Sequence, residues 1–144
     1  MSDAPGGADP TAAIAAAVLS SGRTVHRAAG VLTIVGVLTA LLAGAGGPAR
    51  WAAAVAVLLY VVESWLALRV ALDAELFGRS DPPGAMLATL DQRLVDWRLR
   101  SPRAARPLDE RARAAVGLWK LQLAVTIVEA VAVAVAAVAS AIAR

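Results

Sequence analysis

Cysteine is absent from the 144-residue chain. That excludes disulfides, thiolate chemistry, Cys-ligated zinc and iron–sulfur clusters. Histidine occurs once, as His26, and lysine once, as Lys120. A single histidine without cysteine partners is a poor basis for a zinc or haem site, so no metal and no cofactor is expected. No Gly-rich phosphate loop occurs, and no serine sits in a nucleophile setting. The expected protein is therefore non-catalytic, with no catalytic residues to assign. Charge is scarce too. Charged residues make up 17% of the chain, against about 25% in an ordinary soluble domain.

What is present is apolar. Hydrophobic residues make up 59% and mean hydropathy is +0.67. The charges cluster in one part of the chain, whereas a soluble protein spreads them to cover its surface. The net charge of +3 has no aromatic-basic surface beside it, so nucleic acid is not an expected partner. Arginines gathered at the cytoplasmic face of a membrane protein explain it better.

Residues 1–22 read as an N-terminal tail, polar and rich in Gly and Pro over residues 1–10. The segment TAAIAAAVLS (residues 11–20) has room for a short helix that lies on the surface or frays, broken by Ser20, Ser21 and Gly22. It is about half a membrane thickness long. Residues 23–72 hold two transmembrane helices, about 28–46 and 51–72. The first is uncharged and ends at Gly46, Gly47 and Pro48; the second carries Glu63 and Arg69. Residues 73–112 form a polar section. Within residues 84–99, Met86, Leu87, Leu90, Leu94 and Trp97 fall on one helical face, which marks an amphipathic helix. Residues 113–144 hold the third transmembrane helix, with Gln122 and Glu129 inside it. Its alternating Val and Ala would also suit a strand, but a lone strand in lipid leaves its backbone unpaired.

The fold class expected is thus an all-α integral membrane protein, with three transmembrane helices plus a cytoplasmic amphipathic helix. Most arginines fall on the side of the N-terminus and the 73–112 section; Arg50 and Arg144 fall opposite. The positive-inside rule then places the N-terminus in the cytoplasm and the C-terminus outside, in a bacterial inner membrane.

The intramembrane polar residues Glu63, Glu129, Arg69 and Gln122 are the candidate site. A charge at mid-membrane costs roughly 2.5–3.5 kcal/mol on insertion scales, so it should face protein or water. The segment from Tyr60 to Ser64 echoes that from Thr126 to Ala130, each with one glutamate. Taken from the midpoints of the two spans, the glutamates lie at similar depth, about 2 Å and about 5 Å from centre. Gln122 and Arg69 are the expected structural partners. Gly36, Ala40 and Gly44 sit four apart and suit close helix packing. His26 reads as an interfacial residue touching lipid headgroups.

Two functions fit. One is an accessory or scaffolding subunit of a larger membrane complex. Its partners would be the lipid bilayer and other membrane-protein subunits, or copies of itself. The other is a homo-oligomeric proton- or cation-coupled channel or transporter that uses Glu63 and Glu129.

Overall fold

The computed structural model of the chain describes residues 10–42, 48–78, 85–98 and 107–142. All regular structure among them is helical: α1 (Pro10–Ser20), α2 (Gly22–Leu42), α3 (Pro48–Gly78), α4 (Ala85–Asp96) and α5 (Leu108–Ile142). Helices α2, α3 and α5 pack on one another, and α1 packs on α3 and α5. Three stretches are long and apolar enough to cross a membrane: Pro10–Leu42, Arg50–Gly78 and Leu108–Ile142.

The buried residues explain the bundle. In α2 they are Gly22, Ala29 and Gly36; in α5 they include Ala112, Ala115, Gln122, Thr126, Glu129, Val133 and Ala136. In α3, Ala56, Glu63, Val70 and Phe77 are buried. The spacings are seven, or alternate between three and four, which is the repeat that keeps one helical face on its neighbours. The outward faces carry Ile34, Leu38, Leu58, Val61, Ile127 and Val131, all exposed. Polar groups lie inside and aliphatic groups outside, the reverse of a soluble bundle and compatible with a lipid environment.

The helices outrun the spans expected from the sequence. The 35 residues of α5 reach about 52 Å, against about 30 Å of hydrocarbon. The expected spans stop where charge begins, but a helix need not stop there when another element covers it. Here α1 does the covering. Ala12, Ala15 and Leu19 of α1 pack with Val70 and Phe77 of α3 and with Ala112 and Ala115 of α5. Residues 11–20 are therefore a docked helix, not a frayed or surface one. Its alanines keep the contact close, and α3 continues through Asp73 and Glu75.

Between α1 and α2 only Ser21 is non-helical. Its carbonyl accepts from the Thr24 amide at 3.0 Å, which starts α2. The Ser20 and Ser21 hydroxyls donate back to the carbonyls of Ala17 and Val18, at 2.7 Å each. The Val18 carbonyl also accepts from the Ser21 amide at 3.2 Å. Helix α5 pins the junction from outside, through Trp119 Nε1 donating to Ser21 Oγ at 3.1 Å.

Helix α4 is shorter than the expected 84–99. It ends at Asp96, with a turn at Trp97 and Arg98. Arg98 has φ of 58°, the left-handed conformation that closes many helices. Among the described residues α4 makes few contacts with the other helices.

Candidate functional site

The polar residues of the apolar zone form two layers inside the bundle. The lower layer, nearer α1, centres on Glu63 of α3, which is fully buried. Gln122 Nε2 of α5 donates to Glu63 Oε1 at 2.7 Å and to the Gly22 carbonyl of α2 at 3.0 Å. His26 Nδ1 of α2 lies 2.7 Å from Glu63 Oε2. Beside an ionised Glu63, which only accepts, His26 Nδ1 is the donor of this contact. A protonated His26 makes the contact an ion pair, and its side chain is 38% exposed where that of Glu63 is closed off. The ring of Tyr60 stacks on His26, centroids 5.7 Å apart and planes 9° apart. Gly30 faces the Tyr60 ring of that stack, with room for a Cβ in ordinary contact. A Cβ there would meet the Tyr60 hydroxyl at 3.6 Å, so a longer side chain would crowd the ring.

The upper layer pairs Thr33 of α2 with Glu129 of α5, the threonine hydroxyl donating to Glu129 Oε1. Thr126, between the layers, returns its hydroxyl to the Gln122 carbonyl at 3.1 Å. Beyond it the three helices close on small residues. A Cβ at Gly36 would stand 3.1 Å from Val133 Cγ2 and 3.6 Å from the Ala56 Cβ.

Among the described residues two buried oxygens have no hydrogen-bond partner, Gln122 Oε1 and Glu129 Oε2. An unpaired buried acceptor costs about 1–3 kcal/mol. Glu129 thus has one oxygen open to a proton or a cation, while both oxygens of Glu63 are engaged.

The layers correct the expected depths. His26 and Thr33 are seven residues apart, as are Gln122 and Glu129, so the carboxylates sit two turns apart, about 10 Å along the axis. Midpoints taken from the apolar runs misplaced the helices, because each helix extends past its run on the charged side. Gln122 does meet Glu63, but Arg69 meets neither glutamate. Its guanidinium lies 4.8 Å from the Trp65 ring centroid, a cation–π contact on the outer surface.

Of the small-residue stripe, Gly36 is buried and Ala40 half-buried. Gly44 lies outside the described residues. On α4, Leu90 is exposed and Leu94 half-buried, and Trp97 in the turn that follows is exposed; the side chains of Met86 and Leu87 lie outside the described set. The sequence reading missed His26 and Thr33 as carboxylate partners. Their seven-residue spacing, interleaved with Gly22, Ala29 and Gly36, was the available signal.

No group of three or more potential metal ligands occurs among the described residues. Comparison with protein-family models, with curated proteins and with solved structures finds no match.

Proposed function

We propose that the chain is an integral membrane protein of the bacterial inner membrane and serves as a non-catalytic accessory or scaffolding subunit of a larger complex. In this reading α2, α3 and α5 are its three transmembrane helices, and α4 is a cytoplasmic amphipathic helix that makes the contact. The observation that carries it is the division of labour between core and surface. Interhelical hydrogen bonds are spent inside the bundle, each worth about 0.6–2 kcal/mol in a membrane. The face of α4 around Leu90 and Trp97 is left uncovered by the bundle.

The test is purification in mild detergent with a tag on the C-terminus. Another protein in fixed ratio, lost when Leu90 and Trp97 are both changed to Ser, is the expected result. A chain that purifies alone from its native membrane, with or without those changes, overturns the subunit reading.

The open Glu129 oxygen favours a second reading, a homo-oligomeric proton- or cation-coupled channel or transporter. Liposomes holding the purified chain should then pass protons or cations, and Glu129→Gln should abolish the flux. Flux equal to that of empty liposomes sinks this reading.

A further inference from the structure

A groove of about 470 Å³ runs between α2 and α3 on the outer face of the bundle. Arg23, His26 and Arg27 border it on α2; Tyr60, Ser64 and Leu68 border it on α3. We infer that this groove binds the phosphate-bearing headgroup of an anionic phospholipid, from the leaflet at the charged end of the bundle. The inference rests on the membrane reading proposed above.

Charge and shape carry the argument. Arg23 and Arg27 are four apart on a helix, so both heads project along one edge of the groove. Arg23 shares a loose 3.5 Å pair with Glu75, both side chains well exposed. Arg27 makes no ion pair among the described residues. Glu63 is fully buried and does not line the groove, whereas His26, 2.7 Å from its carboxylate, does. Two guanidinium groups beside the Ser64 hydroxyl offer a phosphate the donors it needs. Leu19, Ala67, Leu68, Ala71 and Ala74 give the lining an apolar wall, and Leu68 is 61% exposed. A free anion has no use for that wall, whereas the glycerol and upper acyl chain of a lipid do. The groove also sits where α2 passes from charged to uncharged sequence, which is the level of headgroups.

The test is native mass spectrometry of delipidated protein in neutral detergent, titrated with phosphatidylglycerol and with phosphatidylcholine. One phosphatidylglycerol should bind in clear preference to phosphatidylcholine. An arginine near an anionic surface is worth roughly fivefold in affinity, so the double variant Arg23→Gln, Arg27→Gln should bind more than about tenfold more weakly. Arg113→Gln, on the far side of the bundle, should bind as wild type. Both arginines are exposed on a helix, and circular dichroism checks that the variant keeps its helix content. Equal binding of the two lipids overturns the inference, as does a double variant that still prefers phosphatidylglycerol like wild type. So does complete displacement of lipid by millimolar inorganic phosphate, or by an acidic peptide. Failure of the chain to partition into membranes would instead defeat the membrane reading, and fractionation separates the two failures.

Discussion

Gln122 spends both hydrogens of its amide inside the core, one on the Glu63 carboxylate and one on the Gly22 carbonyl. Together with Glu63, which meets both His26 and Gln122, it ties the three long helices in one place. Gln122→Leu fills similar space but leaves two buried acceptors short of a donor, at about 1–3 kcal/mol each. The variant should therefore unfold at clearly lower temperature or denaturant in detergent. A midpoint equal to wild type would show that the network adds nothing. Glu129→Gln is the contrasting change. It keeps an acceptor for Thr33 and removes the charge, so stability should stay within about 1 kcal/mol of wild type by the same scale. Gly22→Ala tests the junction sterically. Its Cβ would sit 2.8 Å from Val70 Cγ1 and 3.1 Å from Gln122 Oε1. Overpacking of that kind costs about 1–3 kcal/mol. Gly117→Ala meets nothing within 4 Å and should stabilise α5 by up to about 1 kcal/mol.

At the scale of the element, α1 decides how far the bundle extends. Its buried side, Ala12, Ala15 and Leu19, closes over the ends of α3 and α5. Leu19→Ala should cost about 2–5 kcal/mol, the range for a fully buried leucine. Hydrogen exchange should show α1 protected in the wild type and opened in that variant; an α1 already unprotected would mean it is not docked. The sequence could suggest a helix over residues 11–20 but not its docking, because a run of alanines has no strong apolar face to read. Periodicity served better elsewhere. The uncharged run before Gly46 marked a long apolar helix, and the spacing of Leu90 and Leu94 marked the helix found as α4. Helix ends were less legible, because α3 and α5 carry charged residues past the apolar zone without breaking.

For the whole molecule, the three long apolar helices were legible from hydropathy alone. Their mutual rotation was not, since it depends on which side chains meet. Glu63 and Glu129 stood out as misplaced charges, but His26 and Thr33 looked ordinary until the helices were set beside one another. The proposed orientation is open to a direct check, and the absence of cysteine makes it simple. Trp97→Cys and Ile142→Cys each introduce one exposed thiol. An impermeant maleimide applied to intact cells should label position 142, and position 97 only after lysis. The opposite pattern would reverse the assignment of the N-terminus to the cytoplasm.

The order of the hydrogen-bonding partners along the chain also sets a timetable for membrane insertion. Glu63 meets its first partner, His26, on the helix synthesised just before its own. Glu129 arrives last and finds Thr33 already in place. Gln122, on that same late helix, supplies what Glu63 and Gly22 still lack. A chain with α2 and α3 alone would leave Glu63 half-satisfied, with His26 as its partner and Gln122 still missing. Helix α5 supplies the missing donor through Gln122, so the pairing of α2 with α3 and the docking of α5 are two successive steps in satisfying one carboxylate.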